Sequence, residues 1–398
     1  MRFGNVRQRD GVWMVRDYWG TDPITGRPIR PQKSFPEART REEAEKAAEE
    51  WRARTAPFRE LRSGEGFVPL LYRYIASLRA ENAAKLTTVD TYASLVRCYV
   101  APYLGAKKVG EMNQRHIHEL YDVLAVRGGR DGRGISPATL RKLHNFLRGA
   151  VRWMVDGGVL ESNFMDSIDA PRADRREAAS FGVDDFERLS AALERALRLP
   201  AADRSGRMRR SCAMAAYISL WSGARCGEVC GLSVDDFRRS MRGGWELHIG
   251  HTVAETSEGL IRTAPKSASG RRSVALSDRA AEEVRRHLEW RASFAPADSR
   301  ERPLVCAKPG VWMRPSTVSR QFSRMRDAIG LPRGTSFHTL RHTHASWLLA
   351  NGISVREVSQ RLGHSKPTMT LETYAHVLPG SDRAAAEAFE RAAGRTGL

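Results

Sequence analysis

The sequence predicts a mainly α-helical protein with small β-sheets, built as a strand-and-helix module, a helical domain and a larger mixed α/β domain. Three observations carry that expectation. Apolar residues recur at helical spacing over most of the chain. Short runs rich in β-branched and aromatic residues are confined to the first 35 residues and to 245–276. The stretch DAPRADRREAAS, residues 169–180, is polar, charged and proline-bearing, the composition of an interdomain linker. A chain of 398 residues also exceeds what one ordinary core accommodates.

Taken in order, residues 2–35 read as short strands. VWMVRDYW supplies the β-branched and aromatic residues, and GTDPITGRP is a turn cluster. Thr40 and Glu43 have the spacing of a capping box and open a helix through REEAEKAAEEWRAR. Phe67, Leu70, Leu71, Tyr74, Ile75 and Leu78 mark an amphipathic helix, and further helices are expected at 88–100, 114–126 and 137–156. RGGRDGRG, residues 127–134, is a basic loop between two of them. Beyond the linker, helices are expected at 183–197 and 208–221, then strands near 245–252, 259–264 and 272–276. Helices resume at 278–293, 316–329, 339–350, 354–362 and 367–377.

Composition narrows the function. Hydrophobic residues at 41% and charged residues at 28% fit a soluble globular chain. No apolar run approaches the roughly 20 residues that span a bilayer, and the start lacks a secretory apolar region, so a cytoplasmic protein is expected. Five cysteines, an odd number, read as reduced thiols. The net charge of +19 points to a polyanion, with nucleic acid the commonest. A GC-rich genome would favour arginine over lysine but would not produce an excess of base over acid.

Several clusters invite chemistry, each with a plainer reading beside it. In FHTLRHTHASWLL, residues 337–349, His338 and Arg341 stand three apart at a helix start capped by Ser336 or Thr339. A cation and an imidazole there suit a phosphate. His338, His342 and His344 also have metal-ligand spacing, but Thr339 stands where a zinc hydrolase carries glutamate. Arg225 follows a glycine-containing turn and Glu228 comes three residues later, which alone describes a surface ion pair. Cys226 and Cys230 could share a metal, yet no second ligand pair follows. Lys266 sits in a strand-connecting turn, where exposed lysines are ordinary. Tyr374, between histidines in LGHSKPTMTLETYAHV, is either a packed aromatic or a nucleophile.

SGARCGEVCGL, HTLRHTHASWLLANG and LGHSKPTMTLETYAH, in that order, resemble the boxes of the tyrosine recombinases, the phage-integrase family. The catalytic resemblance covers roughly 180–380. It implies a catalytic domain with C-terminal tail at 181–398, a helical core-binding domain at 65–168 and an arm-site DNA-binding module at 1–58. It also implies roles: Tyr374 the nucleophile, Arg225 and Arg341 on the scissile phosphate, and His364 a further phosphate contact. His338 becomes a proton acceptor or donor, Lys266 the hairpin lysine, and Glu228 an acid supporting Arg225. Ser222 and Phe164 depart from the family pattern without touching this chemistry.

Elementary chemistry agrees with that set. Breaking a phosphodiester without metal or other cofactor needs cations on the non-bridging oxygens, and guanidiniums supply two donors each at any physiological pH. A phenol of pKa about 10 attacks only when its proton is taken or its anion stabilised. The 5′ oxygen is a poor leaving group and needs an acid such as Lys266. The phosphotyrosyl bond retains the ester's energy, so no ATP is required. The resemblance therefore implies a recombinase acting on double-stranded attachment sites, core and arm-type. It would act as a tetramer on DNA, with a directionality factor or host DNA-bending protein as further partners and no membrane. A type IB topoisomerase and a non-catalytic DNA-binding relative are the alternatives.

Overall fold

Asp10 and Gly11, both at positive φ, make the two-residue turn that joins β1 (Arg7–Arg9) to β2 (Val12–Arg16). The computed structural model describes residues 4–18, 20–21, 28–30, 32–55, 65–129, 132–172, 179–241, 243–265, 268–296, 301–374 and 390. It divides into two compact units, Met1–Arg175 and Arg176–Leu398.

In the first unit β3 (Gly20–Thr21) and β4 (Pro28–Ile29) pair with each other. β5 (Gln32–Phe35) joins β2, giving the order β1-β2-β5. The Thr40–Glu43 capping box closes in both directions and starts α1 (Arg41–Thr55). This helix buries Ala44, Ala48 and Trp51 and packs on β2 and β5. The helical part comprises α2 (Phe67–Ala80), α3 (Leu86–Leu95), a π-helical turn at Val96–Val100 and α4 (Ala101–Leu104). It ends with α5 (Gln114–Arg127) and α6 (Pro137–Asp156). The single helix expected at 88–100 is thus broken in register. Pro102, which has no amide hydrogen, opens α4 and is the local reason. On α6, capped by Ser136, residues Leu143, Phe146, Leu147, Ala150, Val151 and Met154 are fully buried, as their spacing predicts.

The second unit is organised around a helix buried on all sides. α7 (Val183–Leu197) leads into α8 (Arg204–Ser222), whose residues from Ser211 to Leu220 are all buried. α9 (Cys226–Cys230) follows. β6 (Phe237–Arg239), β7 (Trp245–Ile249), β8 (Thr252–Thr256), β9 (Gly259–Thr263) and β10 (Arg272–Leu276) form two antiparallel sheets. One has the order β10-β7-β6 and the other is the β8-β9 hairpin. The stretch expected as one strand near 245–252 is therefore two. The chain changes partner at Gly250 and His251, and β6 is too short to show alternation in sequence. α10 (Asp278–Ala292), α11 (Pro315–Ala328), α12 (Phe337–Ala350), α13 (Val355–Leu362) and α14 (Pro367–Tyr374) complete the unit. α7, α10, α11 and α12 all pack on α8. The part of the expected 367–377 helix beyond Tyr374, with the tail apart from residue 390, lies outside the described residues. Among the described residues, no helix is long and apolar enough to cross a membrane.

Candidate active site

α8 stops at Gly223, which adopts φ +71. A Cβ there would sit 2.7 Å from Leu362 Cδ2 and 2.9 Å from His344 Cδ2, so conformation and space both demand glycine. The turn delivers Arg225 to the head of α9. Its backbone N–H donates to Glu228 Oε2 at 2.9 Å and its Nη1 to Oε1 at 2.8 Å. Glu228 is buried and accepts as well from Arg272 Nη2 on β10, at 2.9 Å. Burial pushes this carboxyl up, but the hydrogen bond and charge of Arg272 and the charge of Arg225 outweigh it, leaving the pKa below its usual value. Arg272 Nε donates in turn to the Arg361 carbonyl at 2.7 Å, fastening the return strand to α13.

Ser336 caps α12 by accepting from the His338 amide, and its own amide donates to Thr339 Oγ1. The first turn is therefore held from both sides. Arg341, only 2% exposed, donates from Nη1 to the Gly223 carbonyl and from Nη2 to the Leu362 carbonyl, each at 2.7 Å. One guanidinium thus joins the ends of α8 and α13. Burial and then Arg225 pull its pKa down to about 9, still a full cation at neutral pH. Burial, Arg341 and Arg225 likewise lower the pKa of His338.

α13 ends at Gly363 in the left-handed region, and His364 follows. Its Nδ1 lies 2.7 Å from Thr370 Oγ1, and burial with Arg341 and Arg225 brings its pKa to about 4. Tyr374 closes α14. It is 1% exposed and belongs to a small apolar cluster with Ala345, Leu349, Val358 and Leu362. Its hydroxyl is 2.6 Å from His342 Nδ1. Burial raises the phenol to about 12, against the opposing pull of Arg341 and Arg225.

The second unit therefore brings together Arg225, Glu228, His338, Arg341, His364 and Tyr374, and the phenol and both histidines feel the charges of Arg225 and Arg341. Lys266 lies outside the described residues. The sequence profile of the Phage integrase family matches residues 183–380, a span holding every one of these side chains. The chain belongs to this family. Among relatives, it is 23% identical to the tyrosine recombinase XerC of Proteus mirabilis over 304 residues, covering 76% of this chain and 88% of that protein. Its fold is similar to the Tn1549 transposon integrase in complex with transposon right end DNA, with TM-score 0.63 and 22% identity. That match covers 82% of this chain and 99% of the other. It is also similar to a lambda integrase tetramer bound to a Holliday junction, with TM-score 0.52, 20% identity, and 92% and 96% covered.

Reasoning from the sequence missed Arg272 and Thr370 at this site and read His342 only as a possible metal ligand. Arg272 holds Glu228, His342 meets the phenol, and Thr370 meets His364. Arg272 and His342 reach partners 44 and 32 residues away, which local spacing does not reveal. Thr370, six residues from His364, is closer to a readable signal. The histidine and cysteine clusters are engaged otherwise than as metal ligands. His344 is bonded through Nδ1 to the Leu220 carbonyl and accepts at Nε2 from Arg361. Cys226 Sγ contacts the Pro315 carbonyl and Ser319. Among the described residues no group of three His, Cys, Asp or Glu side chains is placed to hold a metal.

The clamp makes a stability prediction. Glu228→Gln removes the charge between two guanidiniums, and with side-chain exposures of 5% and 7% the Glu228–Arg272 pair is a buried one. A loss of about 3–5 kcal/mol in chemical denaturation at pH 7 is expected. Because the folded carboxyl titrates below its unfolded value, its contribution is complete above the unfolded pKa and disappears as pH falls through the folded one. The gap between wild type and variant should therefore close in acid.

Proposed function

We propose that this integrase-family chain is a site-specific DNA recombinase. It cleaves and rejoins strands through a 3′-phosphotyrosyl intermediate and a Holliday junction, integrating or excising a mobile element. The observation that carries the reading is the convergence on Tyr374. A tyrosine buried as a mere packing aromatic has no need of two arginines, a carboxylate clamp and two histidines arriving from the ends of three other helices. Arg225, with a side chain 39% exposed, keeps donors free for a phosphate oxygen. The Arg341 charge lies behind it, fixed by the two carbonyls. Thr370 Oγ1 meets His364 at Nδ1 and leaves Nε2 for the phosphate, to which the Nε2-protonated tautomer donates. Such fixed donors stabilise the charge that develops on phosphorus. Lys266, which falls between β9 and β10 in the sequence, is assigned the protonation of the 5′ oxygen, and His338 a further phosphate contact.

The partners follow from the same reading. Double-stranded DNA suits the charge of +19. Residues 65–168 are assigned to core-site binding and 1–58 to arm-site binding. The lambda integrase tetramer on a Holliday junction supports assembly of four copies, with a directionality factor or DNA-bending protein as further participants.

The test is covalent capture. The full-length protein is incubated with a library of randomised duplexes, each nicked near its centre so that the cleaved end is lost and the adduct cannot religate. Denaturant-stable adducts are recovered, their DNA sequenced and their peptides mapped. One enriched inverted-repeat sequence, joined at its 3′ phosphate to Tyr374, is expected. A protein that bound DNA yet gave no adduct, or an adduct at another residue, would overturn the reading.

A further inference from the structure

We propose that His342, one residue beyond Arg341, is a catalytic residue of this site: it holds the hydroxyl of Tyr374 and takes its proton as the oxygen attacks phosphorus. The inference rests on Tyr374 being the nucleophile and assigns the acceptor that its chemistry requires.

The geometry is direct. The hydrogen bond given to the phenol oxygen runs to His342 Nδ1 at 2.6 Å, the separation across which a proton passes without rearrangement. His338, the histidine with the more conspicuous position in the sequence, meets His342 edge-on, with ring centroids 4.5 Å apart and planes at 82°. Its ring therefore lies against the acceptor. Both helices that carry the pair are anchored: α12 by its Ser336 cap and the Arg341 fork, α14 by packing on α13 and by the ring of Tyr374 in the apolar cluster with Leu349, Val358 and Leu362. The contact joins two anchored elements rather than two mobile side chains.

The charged and titratable groups facing His342 are His338 and Arg341 on its own helix and Tyr374 on α14. Burial, then His338 and Arg341, lower its pKa to about 4, so at neutral pH the ring is uncharged, and in its Nε2-protonated tautomer the lone pair on Nδ1 accepts from the phenol. Against a phenol raised to about 12, the proton stays on oxygen in the resting protein. That mismatch disappears during the reaction. As the phenol oxygen bonds to phosphorus it becomes an aryl ester oxygen, which holds a proton far more weakly than the imidazole does. The phosphate also brings negative charge toward Arg341 and His338, easing the field that kept His342 neutral.

The step balances. The O–H bond of Tyr374 breaks, the proton bonds to Nδ1, and the oxygen's electron pair forms the P–O bond. The P–O5′ bond breaks, and the 5′ oxygen leaves with its pair and receives a proton from a cationic acid, assigned here to Lys266. In religation the attacking 5′ hydroxyl gives its proton back to the acid and the imidazolium returns its proton to the departing phenolate, so a full cycle leaves the site unchanged.

The test uses the duplex sequence recovered by covalent capture and measures the single-turnover rate of adduct formation against pH. The variants are His342→Asn, which keeps an acceptor near Nδ1 but cannot take the proton, and His342→Ala. Wild type should be flat from pH 6 to 8, above the pKa of His342 and below that of Arg341. Both variants should fall roughly 10²–10⁴-fold at pH 7. Their rates should then climb tenfold per pH unit, because hydroxide must replace the imidazole. Placing a more acidic difluorotyrosine at position 374 should restore most of the lost rate. Either variant within about threefold of wild type would overturn the proposal. So would a loss that neither pH nor fluorotyrosine relieves, since that is the signature of a ring that only packs. If wild type itself forms no adduct, the recombinase reading fails instead.

Discussion

Tyr374→Phe is expected to bind DNA as wild type does and to form no covalent complex. The ring keeps its place among Leu349, Val358 and Leu362, so little packing changes. What disappears is one hydroxyl and its bond to His342. Folding should suffer by only about 1 kcal/mol, the ordinary net worth of one hydrogen bond. The rate of adduct formation should fall by on the order of 10⁴–10⁶-fold, the scale on which removal of a nucleophile acts, and below detection on a denaturing gel. The two readouts must be taken together. Lost adduct with lost binding would indicate damage to the fold, whereas an adduct that survives with binding intact would sink the assignment of Tyr374. The structure adds a condition. With the phenol 1% exposed, a DNA phosphate reaches it only after the surrounding side chains move, so the variant isolates chemistry from a step that both proteins share.

How much of this was legible beforehand depends on how far apart the interacting residues lie. α6 could be read from end to end because its caps, its proline at the first turn and its apolar stripe are local. Arg225 with Glu228 and His338 with Arg341 could be paired because each pair stands three apart at a helix start. Their convergence on one point was expected only through resemblance to a family, since no periodicity relates α9 to α14. The Arg272–Glu228 bond links residues on a strand and a short helix, and its partner choice is set by where β10 runs beside α9 and α13. His342 was visible as one of three clustered histidines. Its partner, however, is fixed by the packing of α14 on α13, which no spacing encodes. β6 and the split of 245–252 were lost for a related reason. A three-residue strand and a change of partner at Gly250 leave no alternation to count.

Arg341 offers the sharpest separation between holding the fold and doing the chemistry. Its fork is committed to the carbonyls of Gly223 and Leu362, the ends of α8 and α13 from which Arg225 and His364 depart. Arg341→Ala leaves both buried carbonyls without a donor. Each is a charge-assisted bond of roughly 1.5–3 kcal/mol, so a destabilisation of about 3–6 kcal/mol is expected in denaturant titration. Where the variant is still folded, adduct formation should be slower by on the order of 10³–10⁵-fold, the range seen when an arginine that stabilises phosphoryl transfer is removed. Arg341→Lys divides these effects. The ammonium keeps the charge near phosphorus but is a single head that cannot span two carbonyls. It should recover part of the stability through one of them, while activity remains well below wild type because the ends of α8 and α13 are no longer fixed relative to one another. Were lysine to restore full activity with stability still reduced, the charge alone would be the requirement and the fork only scaffolding. Full stability with activity still at the alanine level would show instead that the planar guanidinium is needed at the phosphate itself.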